Sequence, residues 1–234
     1  MILVVLATAA SYLAGALIGQ PFLVPFLNAA PAWWLMAGEL RAGRVTNAIT
    51  TMLIWAATMA VIATAWSALV VPEYPAHDHL FLRAEYRTEM LRWVQTGQGS
   101  ESEPAVFVPQ HLASAAVFSL AALATGGALA MPMGAVLMNS MGDYVGSMAH
   151  LSAHPASSIS LGWHPWALIR IIGFVIIGVV LSGPVLARVW RFPFSLRAQS
   201  GWLRIGAGLL VLDIALKWVL APTWGQLLRG VAGW

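Results

Sequence analysis

Apolar residues fill this chain in long blocks rather than in the spaced stripes of a soluble helix. No charge falls between Arg44 and Glu73, between Glu103 and Asp143, or between Arg170 and Arg188. Each block approaches or exceeds the roughly 20 residues a helix needs to cross about 30 Å of hydrocarbon. The pattern gives spans over 2–19, 46–71, 111–131, 133–151, 164–187 and 205–221, with the third and fourth joined at "AMPMG". Residues 20–38 are also apolar but carry Pro21, Pro25 and Pro31. Proline removes helix hydrogen bonds and kinks the chain, so this stretch reads as a broken helix or half-span. The expected fold class is all-α, a polytopic transmembrane helix bundle of about six spans in a single integral membrane domain over 1–234.

The polar segment 72–110 interrupts the apolar blocks. Within it, residues 79–95 have helical periodicity: Leu82, Tyr86, Met90, Trp93 and Val94 share one face, and Glu85, Glu89 and Arg92 the other. This pattern predicts an amphipathic surface helix. Its polar face is not strongly basic, so docking on the protein is favoured over binding to anionic lipid. The helix should stop near Gly97. "TGQGSESEP" then reads as a flexible turn whose Glu101 and Glu103 are expected to be solvated, although paired carboxylates also suit acid–base or metal chemistry.

Composition narrows the classes. The chain is 59% hydrophobic and 9% charged, against about 25% charged in soluble domains. The net charge is +3, but the arginines are spread over loops and form no basic patch, which excludes nucleic acid as a partner. There is no cysteine, which excludes disulfides, thiolate catalysis and cysteine-based metal centres. The N-terminal apolar stretch lacks the positive n-region of a signal peptide and reads as a membrane helix.

Arginine placement orients the spans. Arg41 and Arg44 flank one junction, and Arg188, Arg191, Arg197 and Arg204 crowd another. The positive-inside trend puts both in the cytoplasm of a cell (inner) membrane protein, with 188–204 a cytoplasmic loop. The 72–110 segment, with six acidic residues and three arginines, goes outside. The two assignments agree only if 111–151 crosses twice. Trp33, Trp34, Trp190 and Trp202 then mark inner span ends, and Trp66, Trp163, Trp166 and Trp224 outer ones, as interfacial anchors.

Candidate chemistry lies in the histidines and the buried charges. All six histidines, including His77 and His79, fall on the expected outer side. His111, His150, His154 and His164 are the possible metal ligands, since imidazole is the commonest ligand. No H-E-x-x-H spacing occurs, and "HPW" at 164–166 also suits a helix opening with proline at its first turn. No cofactor is required by the sequence, and a metal or haem on these histidines stays open. On a helix, Asn139, Asp143, Ser147 and His150 form one polar stripe, and Gly142 and Gly146 form an adjoining close-packing face. Asp143 lies about 10 Å below His150 by helix rise, and Arg170 about 9 Å past His164. An unpaired charge at such depth costs at least about 2.5–3.5 kcal/mol. An Asp143–Arg170 contact is therefore expected, completed by Asn139 or His150. Asp213 and Lys217, at i and i+4, are expected to form a second, structural ion pair, with Lys217 snorkelling outward. Gly126, Gly127, Gly134, Gly173, Gly178 and Gly183 supply further packing faces inside the bundle or between subunits.

The run "MGAVLMNSMGDYVGSMA", followed by a polar hairpin and "HPWALIRIIGFVIIGVVLSGP", resembles integral membrane proteins like stage II sporulation protein M. That family has Asn-Gly-x-x-x-Gly in the first of these spans and His-Gly-x-x-Glu opening the next. Here Asn139 is followed by serine and His164 by proline, and Ala167 and Leu168 stand in the region of the family's glutamate. Only Asn139 and His164 correspond. The resemblance covers about a third of the chain and implies a membrane scaffold that positions envelope enzymes.

Three functions follow as expectations. The first is a non-catalytic multi-pass subunit that anchors or scaffolds a larger membrane or envelope assembly, with the lipid bilayer and other membrane subunits as partners. The second is a small transporter or permease with a site at Asp143, Arg170 and His150, its broken helices lying at Pro21–Pro31 and Met131–Gly134. The third is a histidine-ligated metal or haem enzyme.

Overall fold

A computed structural model describes residues 1–70 and 84–234. The described residues form nine α-helices and no strand: α1 Ile2–Ile18, α2 Val24–Arg41, α3 Val45–Leu69, α4 Ala84–Thr96, α5 Pro104–Thr125, α6 Ala130–Leu151, α7 Pro155–Gly162, α8 Pro165–Trp190 and α9 Ser200–Ala232. Short 3₁₀ turns lie at Pro21–Leu23 and Ser100–Ser102. Four helices, α3, α5, α8 and α9, are long and apolar enough to cross a membrane, which makes this a membrane protein. Helix α1 is apolar but shorter. Helix α6 is the buried centre: from Met138 to Ala149 every residue is buried.

Several expected boundaries move, each for a local reason. Of the three early prolines, only Pro21 breaks the chain. Pro25 sits in the first turn of α2, where its missing N–H costs nothing, and Pro31 is accommodated inside the helix. The α5/α6 turn is made by "TGGAL" rather than "AMPMG". Gly126 and Gly127 take φ values of 59° and 86°, open to glycine at little cost, and Pro132 falls within the first turn of α6. The stretch Met131–Gly134 is therefore continuous helix. Helix α5 starts at Pro104 rather than at His111, with proline at its first position.

The glycines expected to form packing faces are spent mostly inside the chain. A Cβ on Gly146 would lie 2.7 Å from Ser67 Cβ and 2.8 Å from the Ala68 nitrogen, and one on Gly142 would meet Ala63 and Thr64. These two glycines let α6 press against α3, the most extensive helix pair among the described residues. Gly173 and Gly206 do the same for α8 and α9, and Gly178 receives the Phe118 ring.

The surface helix is docked on the protein as its pattern predicts. Met90, Trp93 and Val94 are buried, and Glu85 faces out. Trp93 Nε1 donates to Ser102 Oγ at 2.7 Å, and Arg229 Nε donates to the Val94 carbonyl at 2.9 Å, tying α4 to the following turn and to the end of α9. The expected start of this helix at 79, with Leu82, His77 and His79, lies outside the described residues.

Candidate functional site

Two polar clusters occupy the apolar bundle, on opposite sides of α6. The first lies on the expected stripe. Asn139 accepts from Tyr12 Oη and donates Nδ2–H to Asn28 Oδ1 at 3.1 Å, and Asn28 Nδ2 donates to Ser11 Oγ at 2.8 Å. One chain of hydrogen bonds thus joins α1, α2 and α6. Asp143, 1% exposed, accepts from Ser67 Oγ at 2.9 Å and lies 3.4 Å from Arg87 Nη1 on α4. His150 reaches the Ala68 carbonyl at 3.2 Å. The stripe faces the bundle, as expected.

The second cluster differs from the expected ion pairs. Arg170 does not meet Asp143; its Nε and Nη2 donate to the two oxygens of Asp213 at 3.0 and 3.2 Å. Depth alone left the partner open, and the facing of the helices decides it: α6 turns its stripe toward α3 and α4, whereas α8 packs along α9. Asp213 and Lys217 are likewise not each other's partners. Lys217 is fully buried rather than snorkelling, and its Nζ donates to Glu101 Oε1 at 2.7 Å and sits 4.5 Å from the centre of the Phe107 ring. Glu101, read as solvated from its Ser-rich surroundings, is the residue that sequence reasoning missed. The only signal for it was a lysine in an apolar span that needed a carboxylate. Burial pushes the Glu101 carboxyl up, but Lys217 and then Arg170 more than offset this and hold it below the usual carboxylate range.

The four candidate metal-ligating histidines are dispersed. His111 Nδ1 donates to the Phe107 carbonyl at 2.8 Å, and its Nε2 lies 3.7 Å from Asp213. His150 is on α3. His154 precedes α7. His164 is buried at the start of α8, its ring stacked on Trp166 at 4.6 Å, with Tyr144 Oη 3.5 Å from Nε2. No group of three or more histidine, aspartate or glutamate side chains among the described residues could hold a metal ion. Trp166 also leaves its expected anchoring role, since it is fully buried against His164 and Trp224. Trp33, Trp34 and Trp190 do cluster at the opposite end of the bundle.

Beside the second cluster lies a cavity of about 1020 Å³, at the top of the range for small-molecule sites. Its walls come chiefly from α5, α6, α8 and α9. Along α8 it runs from Arg170 to Ser182, about 18 Å by helix rise. Glu89, Glu101, His111, Arg170 and Asp213 lie at one end; Phe118, Phe174, Leu137 and Met138 line the length. Helix α5 forms an outer wall, with only Phe107 and Ala122 buried. The cavity is thus a long apolar trough closed at one end by charged side chains. No family model, curated protein or solved structure matches the chain.

Proposed function

We propose that the protein is a small membrane carrier that holds an amphiphilic molecule in the α5/α6/α8/α9 cavity, head at the charged end and tail between the helices. One observation carries this reading: a long apolar cavity ends on a compact set of polar side chains within the bundle. The permease site moves accordingly from Asp143, Arg170 and His150 to Glu101, His111, Arg170 and Asp213. The finer topology belongs to the same proposal. Helices α1 and α6 act as further crossings, giving about six. The arginine-rich end lies in the cytoplasm and the α4 end outside, in a cell (inner) membrane.

The chain lacks cysteine, so Ser119→Cys on the cavity wall gives a single reporter. Its alkylation in membranes by a lipophilic maleimide should slow severalfold when a sixteen-carbon amphiphile is added. Labelling that is indifferent to every amphiphile defeats the carrier reading.

A subunit that anchors partner chains is the second reading, favoured by the exposed row Leu3, Leu6, Leu13 and Leu17 on α1 and by the resemblance to stage II sporulation protein M-like proteins. Partner chains that stay bound through mild extraction from native membranes support it; a lone monomer removes it.

A further inference from the structure

Resting on the carrier reading, the geometry points to a primary ammonium as the head of the molecule the cavity holds. The mouth offers hydrogen-bond acceptors in excess of donors. His111 Nδ1 donates to a carbonyl, so in the uncharged ring Nε2 carries the lone pair. That nitrogen is buried and has no hydrogen-bond partner among the described residues. It stands 3.7 Å from Asp213 Oδ2, with two acceptors facing each other across a gap that a nitrogen bearing two or more hydrogens can bridge at ordinary bond lengths.

The cations on hand are engaged. Two of Arg170's nitrogens are spent on Asp213, and Lys217 is bound to Glu101. An incoming anion therefore meets, among the described residues, cations already bound to carboxylates, and it meets the carboxylate of Glu89 on the same rim. Among the described residues, three carboxylates, Glu89, Glu101 and Asp213, stand against Arg170 and Lys217 at the mouth, so one added positive charge balances them. A quaternary ammonium supplies the charge but no N–H, and an alcohol supplies one O–H and no charge; a primary ammonium supplies both. Two sources carry this chemistry above an apolar tail: the headgroup of phosphatidylethanolamine and a free long-chain amine.

The test uses the full chain with Ser119→Cys carrying an environment-sensitive fluorophore, in detergent, and displacement of the dye by hexadecylamine, hexadecyltrimethylammonium, hexadecanol and palmitate. Hexadecylamine should displace at about tenfold lower concentration than the other three, the difference expected from charge-assisted hydrogen bonds. His111→Phe and His111→Gln should both remain folded by tryptophan fluorescence; in the phenylalanine variant the amphiphiles should still expel the tethered dye from the cavity but without the tenfold preference, and the glutamine variant should keep part of it. Nanodiscs of phosphatidylethanolamine or phosphatidylcholine then assign the source: expulsion of the tethered dye specific to phosphatidylethanolamine names the lipid, and expulsion by hexadecylamine alone names the free amine. Palmitate or the quaternary ammonium binding as tightly as the amine overturns the headgroup and leaves the carrier reading standing. Failure of all four to displace the dye overturns both.

Discussion

The two sides of α6 solve the same problem in opposite ways. Toward α3, polar residues meet across a seam with no spare room: Gly142 and Gly146 bring the backbones together, and Asp143 meets Ser67 within the resulting contact. Toward α8 and α9, the helices stand apart around a cavity, and the charges close on one another at its end. A seam specifies which helices adjoin. A cavity with its own charged end leaves space for something else. Polar groups inside an apolar bundle are therefore not one signal, and what separates the two kinds is the volume beside them.

The sharpest way to break the contrast is at the seam. Gly146→Leu and Gly142→Leu push side chains into the α3 backbone, costing about 3 kcal/mol each at the upper end of overpacking penalties. Together they consume most of a marginal stability, and monodisperse protein should be lost on size-exclusion chromatography. Gly208→Leu, where an added Cβ meets nothing within 4 Å, should leave the profile unchanged.

At the cavity, removing one partner of a buried pair is the next largest effect. Glu101→Gln leaves Lys217, fully buried, without its carboxylate. A loss of about 3–5 kcal/mol is expected in chemical unfolding. The double variant Glu101→Leu with Lys217→Met should recover most of it, because neither charge is then stranded. If the double variant is no better than the single, the pair is not an isolated unit.

The same pair gives a signed pH dependence. The Glu101 carboxyl is held below its ordinary value in the folded protein. Its contribution is fully present above the unfolded value of about 4.3 and is lost as pH falls through the depressed folded one. Thermal unfolding should show this contribution flat from pH 7 to about pH 5 and an acid decline below about pH 4 that Glu101→Gln diminishes.

The smallest effect lies at the opposite end of the bundle. Glu39 pairs with Arg44 at 2.6 Å, but the arginine side chain is 55% exposed. The hydrogen bond from Arg44 holds the Glu39 carboxyl below its usual range, yet solvent screens such a pair. Glu39→Gln should leave the melting temperature within error.

Much of the architecture was legible in one dimension. Uncharged blocks of near-span length located α3, α5 and α8, because hydrocarbon imposes a length and an apolar composition on whatever crosses it. The buried face of α4 and the inward polar stripe of α6 followed from periodicity, because a helix repeats its facing every 3.6 residues. Helix ends were less legible. "AMPMG" and "TGGAL" both carry turn residues, and φ at Gly126 and Gly127 chose between them.

By itself, then, the chain's order of residues determined that charges inside the bundle had to be paired, since apolar surroundings make a lone ion expensive. Which charges pair was decided only by the tertiary structure. Asp143 and Arg170 matched in depth, and Asp213 and Lys217 matched in spacing, but pairing is a distance in space. That distance depends on how each helix is rotated against its neighbours: Arg170 finds Asp213, and Lys217 finds Glu101 across 116 positions of chain. The cavity is a tertiary fact for the same reason, being the gap left where α5 forms the outer wall over α6, α8 and α9.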